Sequence, residues 1–220
     1  MPAMEHHIVV RRTARYYTLG SVENEPSEVW FVLHGHMYLA RQFIRYFRAL
    51  EDPNMLIVAP EGLSRSYVNH EERRVGASWM TKEDRLNEIS DYVSYLDELY
   101  RHLFEALNRS STKVHVLGFS QGAATACRWV VMGESKIDRL TIWAGLVPPD
   151  LDLETGGDSL RDAKLTVVLG DKDEWVDATE ATEQKARLTE LGILHEFIRF
   201  DGGHVLEDDV LRRLADARDS

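Results

Sequence analysis

The chain has 220 residues, 44% of them hydrophobic and 29% charged, which suits one folded domain with a sizeable core and excludes a disordered or fibrous chain. Its formal net charge of −11 repels nucleic acid and anionic lipid, so no nucleic-acid partner is expected, and solubility is the plain reading of that charge. A single cysteine, Cys127, excludes an intramolecular disulfide and a cysteine-rich zinc site, and no apolar run approaches the roughly 20 residues that span a bilayer.

The opening residues 1–7 lack a basic segment followed by an apolar run, so no secretory leader is expected. A cytoplasmic setting is expected instead, in keeping with the lone cysteine. Ile8-Val9-Val10 and Tyr16-Tyr17-Thr18-Leu19 read as a leading antiparallel hairpin, with Arg11, Arg12 and Arg15 part of it rather than of a basic tail. Val29-Trp30-Phe31-Val32-Leu33 is the first clear strand and closes on His34-Gly35. Residues 40–50 read as helical, and Met55-Leu56-Ile57-Val58-Ala59 as a strand closed by Pro60-Glu61-Gly62.

Over residues 83–108, Leu86, Ile89, Val93, Leu96, Tyr100, Leu103 and Leu107 fall three and four apart, which predicts one apolar helix face. Thr81 is the expected N-cap, with Glu83 and Asp84 in the first turn where the helix dipole favours negative charge. Strands follow at Val114–Leu117, Leu140–Ala144, Leu165–Leu169 and Phe197–Phe200. Helical segments follow at residues 121–132, 177–191 and 205–215. Short runs rich in β-branched and aromatic residues, bounded by glycine or proline, are how strands buried on both faces read. Their alternation with helices predicts an α/β chain with a mostly parallel central sheet and helices on both faces. No repeat or linker divides it, so residues 1–220 are expected to form one domain. In such sheets ligands bind at the carboxyl ends of the strands.

One of those ends reads Gly118-Phe119-Ser120-Gln121-Gly122. It fits G-x-S-x-G, follows a strand and opens a helix, the context in which a tight turn holds a serine out as a nucleophile. A neutral serine needs a base, and the base needs an acid to orient it. Asp171, Asp173 and Glu174 all follow the Leu165–Leu169 strand, and spacing alone does not separate them. His204 follows Asp201-Gly202-Gly203 after the last strand, at the right end and in the right order to be the base. An oxyanion needs two backbone N–H donors. Gln121, after the serine, supplies one, and His36 or Met37, after Leu33-His34-Gly35, supplies the other. His34 and His36 also form an H-x-H pair, a rival metal reading, although no acidic or histidine cluster stands ready to complete it. Trp79, Met80 and Trp175 are candidates to wall a substrate pocket, with Trp143 and Leu146 weaker ones. Cys127 reads as packing.

Taken in order, Leu33-His34-Gly35, Ala59-Pro60-Glu61-Gly62, Gly118-Phe119-Ser120-Gln121-Gly122-Ala123, Gly170-Asp171-Lys172-Asp173-x-x-Val176 and Gly203-His204 resemble the phospholipase/carboxylesterase family. That family includes acyl-protein thioesterases and small bacterial carboxylesterases. The resemblance implies an α/β-hydrolase fold and a Ser-His-Asp acyl-enzyme mechanism on small-molecule carboxylic esters or thioesters, with no metal or organic cofactor. Its G-D-x-D-x-x-V pattern implies Asp173 as the acid, and its oxyanion donors imply His36 and Gln121. Two departures stand out. After His-Gly the chain continues His36-Met37-Tyr38-Leu39 in place of a small glycine-containing turn. Its Val75-Gly76-Ala77-Ser78-Trp79-Met80 segment runs almost directly into a charged helix. A general carboxylesterase is therefore expected rather than a protein thioesterase, with a non-catalytic ligand-binding protein on the same fold as the alternative.

Overall fold

In the computed structural model, which describes residues 2–50, 52–69, 71, 73–154 and 156–217, the apolar runs become strands of one seven-stranded sheet. In chain order the elements are β1 (Tyr16–Leu19), β2 (Glu28–Leu33), α1 (Ala40–Phe43, continued by a tighter helical stretch over Ile44–Leu50), β3 (Met55–Pro60), β4 (Ser64–Asn69) and β5 (Arg74–Ser78). Then come α2 (Arg85–Phe104), β6 (Lys113–Phe119), α3 (Gln121–Met132), β7 (Arg139–Trp143), α4 (Asp158–Asp162), β8 (Lys164–Gly170), α5 (Ala178–Glu190), β9 (His195–Phe200) and α6 (Asp208–Asp216). The sheet order is β1-β3-β2-β6-β7-β8-β9. All neighbours run parallel except β1, which lies antiparallel on β3.

The continuous apolar character of these strands has a direct cause: both faces of the sheet are covered. Val29, Phe31 and Leu33 of β2 and Val114 and Val116 of β6 pack with Leu96 of α2, Trp129 of α3 and Leu188 of α5. The alternate residues Trp30, Val32 and Leu117 pack on the other face with Phe43, Phe47 and Leu211. The central strands β2, β3 and β6 therefore place alternate side chains in one or the other of two cores.

The leading hairpin needs correction. Residues 8–10 lie in no regular structure, and Ile8, Val9 and Val10 are 85%, 96% and 73% exposed. β1 finds its partner in β3, from Tyr16 opposite Pro60 to Leu19 opposite Ile57, where the sheet edge offers ready-made hydrogen bonds and an apolar face. The Thr81 cap is also displaced. α2 starts at Arg85 after Asp84, and the Thr81 hydroxyl instead accepts the Glu83 N–H at 3.2 Å, closing the turn before the helix. The polar hairpin β4–β5 was not expected from sequence, and it stands outside the main sheet.

Candidate active site

Ser120 sits between β6 and α3 at φ 55°, ψ −118°, a backbone conformation that L-residues adopt only when the surroundings impose it. Its N–H donates to Trp143 O at 2.8 Å, tying the turn to β7. The start of α3 passes so close to the end of β2 that a methyl built on Gly122 would stand 2.2 Å from Leu33 O. Only glycine permits that approach, which explains the second glycine of the motif.

The structure brings three of the expected side chains together. Ser120 Oγ lies 2.8 Å from His204 Nε2, and His204 Nδ1 lies 2.9 Å and 3.0 Å from the two Asp173 carboxylate oxygens. The Asp173 side chain is 1% exposed and also accepts the Trp175 N–H at 2.9 Å. Among the three acids after β8, it alone meets His204: Asp171 pairs with Arg199 Nε at 2.7 Å, and Glu174 is exposed. The indole N–H of Trp143 donates to Val205 O at 2.9 Å and anchors the loop that carries His204. The Phe119 ring packs 5.1 Å from the His204 ring.

The loop after β2 forms the other wall. A methyl built on Gly35 would come 3.3 Å from Ser120 Cβ, so this backbone lies against the serine. The Met37 N–H donates to Ala77 O at 2.8 Å, and the Ala77 N–H donates back to Tyr38 O at 3.2 Å. β5 therefore braces the loop and occupies the Met37 amide. Among the described residues the backbone N–H groups of His36 and Gln121 meet no protein acceptor. The Gln121 side chain faces elsewhere, accepting the Trp79 N–H at 3.1 Å and donating to Met80 O at 2.7 Å.

His34 lies beneath this loop, fully buried, with Nδ1 2.8 Å from Gly35 O and Nε2 2.9 Å from the Gly62 nitrogen. Burial pushes its pKa down to about 4. Both ring nitrogens are engaged by backbone, so His34 has no lone pair to give an H-x-H metal site. Trp79 supports the same loop from below. It is 2% exposed, its indole N–H donates to His34 O at 2.8 Å, and its ring stacks on His34 at 4.9 Å. Met80 is half-buried and brings its sulfur 3.6 Å from an Arg128 nitrogen. Trp175 is 81% exposed at the mouth of the site, 6.3 Å from the His204 ring.

Sequence reasoning gave Glu61 no role of its own. Its carboxylate is buried and holds Arg15 Nε at 2.6 Å, Arg65 Nη1 at 3.0 Å and the Ala40 N–H at 3.2 Å. Burial pushes its pKa up, but the hydrogen bonds from both arginines, the charge of Arg15 and the Ala40 N–H together outweigh burial and hold the carboxyl below its usual range. It fastens the far end of the loop after β2. Two further buried groups stand apart from the site. His115 of β6 bonds Thr141 Oγ1 through Nε2 at 2.8 Å, packs 3.9 Å from the Trp30 ring, and has no partner for Nδ1 among the described residues. Its pKa is pushed down to about 3 by burial. Cys127 on α3 is fully buried, and burial pushes its thiol up to about 12.

The sequence profile of the phospholipase/carboxylesterase family matches residues 21–217. The chain belongs to that family. It is a carboxylic ester hydrolase by that membership, on a mostly parallel sheet of α/β-hydrolase type. Solved structures with the same fold include esterase PE8, 21% identical over 94% of this chain and 98% of its own, with a TM-score of 0.72. Zea mays acyl-protein thioesterase 2 is 17% identical over 93% and 99%, with a TM-score of 0.71. A carboxylesterase from Mesorhizobium loti is 18% identical over 93% and 95%, also with a TM-score of 0.71. A comparison with curated proteins finds no match. Among the described residues no helix is long and apolar enough to cross a membrane.

Proposed function

We propose that this family member is a serine esterase, acting on small-molecule carboxylic esters, thioesters included, through Ser120, His204 and Asp173. His204 Nε2 takes the hydroxyl proton as Ser120 Oγ attacks the acyl carbon. Asp173 keeps the imidazole in the Nδ1–H tautomer and stabilises its cationic form. The tetrahedral oxyanion is received by the backbone N–H groups of His36 and Gln121, and His204 then hands its proton to the departing alcohol or thiol. Water, deprotonated by the same imidazole, releases the acid and restores the serine. Met80 and Trp175 contact the substrate at the rim, while Trp79 acts from beneath. No step calls for a metal or organic cofactor. A cytoplasmic setting suits a chain whose one cysteine is a buried thiol.

The observation that carries this reading is the continuous relay from Ser120 Oγ through His204 to Asp173, each link at 2.8–3.0 Å. The test is hydrolysis of p-nitrophenyl esters of increasing acyl length by wild type and Ser120→Ala, beside labelling with a fluorophosphonate probe. Turnover and labelling that vanish together in Ser120→Ala support it. Equal turnover by the folded variant overturns it, and a folded wild type with neither property points to ligand binding without catalysis.

A further inference from the structure

We infer that His34 is a positioning residue: by holding the carbonyl of the Gly35–His36 peptide, it aims the His36 N–H at the oxygen of the reacting carbonyl. The inference rests on the esterase reading above and deepens it.

The Gly62 backbone N–H can only donate, so His34 Nε2, 2.9 Å away, accepts. A neutral imidazole then carries its one proton on Nδ1, which donates to Gly35 O at 2.8 Å. Two backbone groups therefore fix the tautomer and the ring orientation without any other side chain. The ring is further held by the Trp79 stack and by the Trp79 indole bond to His34 O.

Gly35 O and the His36 N–H belong to one peptide unit. That unit is planar and trans, so its C=O and N–H point in opposite directions. A carbonyl drawn down to the buried ring turns the N–H up, on the side where Gly35 lies against Ser120. Without this hold the plane rests on one longer hydrogen bond, from the Tyr38 N–H to Gly35 O at 3.2 Å. Gly35 carries no side chain to resist rotation, and the next anchor outside that turn is the Met37 N–H on Ala77 O. A half-turn would replace a donor by a carbonyl oxygen facing the developing negative charge. The histidine thus acts on the transition state through the backbone, and it contacts no substrate.

The experiment compares His34→Ala and His34→Asn with wild type and Ser120→Ala. It measures kcat and KM on one p-nitrophenyl ester, the affinity for a trifluoromethyl ketone that forms a tetrahedral adduct, and the unfolding midpoint in urea. The side-chain amide of asparagine has a donor near the place of Nδ1, so His34→Asn should keep kcat within about tenfold. His34→Ala should lose about 100- to 1,000-fold in kcat, the range for a lost oxyanion donor, with KM nearly unchanged and ketone affinity falling in step. Equal losses in both folded variants, or unchanged ketone affinity in His34→Ala, would overturn the inference. Should His34→Ala fail to fold, His34→Gln fills the space but sets its donor one bond further out, and it should show the alanine phenotype. Ser120→Ala separates the two ideas. If it stays active, the esterase reading fails; if it is dead while His34→Ala is unimpaired, only the positioning role fails.

Discussion

His34 and His115 are the same residue type, both buried, both with pKa values pushed well below the ordinary 6.5, one just past the end of β2 and the other on the neighbouring β6. They differ in what they touch. His34 follows the carboxyl end of β2 and bridges Gly35 and Gly62, two backbone groups from different loops. His115 lies near the amino end of β6, bonded to one hydroxyl, packed at a tilt on Trp30, with one nitrogen idle. Desolvation is common to both and so identifies neither as functional. The bridging of separate backbone segments beside the nucleophile is what separates a working histidine from one that fills space.

The scale for this comparison is set by Ser120→Ala, which should lower kcat by at least about 10,000-fold without changing the urea midpoint much. Asp173→Asn should come close to it, about 10,000-fold, by leaving His204 in the wrong tautomer; a loss below tenfold would remove Asp173 from the relay. His34→Ala comes next, at the about 100- to 1,000-fold loss given above. Acidification should then bring the two histidines back together. Unfolded histidine titrates near 6.5, so between that pH and the folded values of about 4 and about 3 the unfolded chain holds more protons. Each histidine's contribution is complete above pH 6.5 and is lost as pH falls, by about 2–3 kcal/mol each at pH 4.5. Urea melts at pH 7 and 4.5 should show a shallower pH dependence in His115→Leu and in His34→Asn. An unchanged dependence in both would mean that other groups carry it. The smallest effect should be that of His115→Leu on catalysis: kcat within about twofold of wild type, with stability at pH 7 moving by about 1 kcal/mol or less, since an unpaired nitrogen leaves with the ring. A tenfold loss of kcat would break the comparison.

The parallel strands were legible because burial on both faces leaves unbroken apolar runs; Ser120 and His204 could be picked out as candidates because each sits at the end of such a run, while only the family's pattern separated Asp173 from Asp171 and Glu174. What escaped lacks that signature. β4 reads Ser64-Arg65-Ser66-Tyr67-Val68-Asn69 and is largely exposed, so no periodicity marks it. Ile8-Val9-Val10 carries strand chemistry but has no neighbour to pair with. The engagement of the Met37 amide depends on β5, a strand some 40 residues away in sequence, so His36 could be singled out only by family pattern until Ala77 was in view. Trp79 looked like a pocket wall because large aromatic residues serve both cleft and core, and only its bond to His34 O tells which. Glu61 stood in the Ala59–Gly62 run without a role of its own, since a lone acid after a strand is ordinary until two arginines close on it.

Cys127 lies on α3 about two helical turns beyond Ser120, with its thiol inaccessible and held protonated at neutral pH. It is also the chain's single cysteine. A soluble thiol reagent can therefore react only in those moments when α3 lifts from the sheet, and the labelling rate becomes a clock for that opening. The protein carries, behind its nucleophile, its own reporter of how often the floor of the site comes apart.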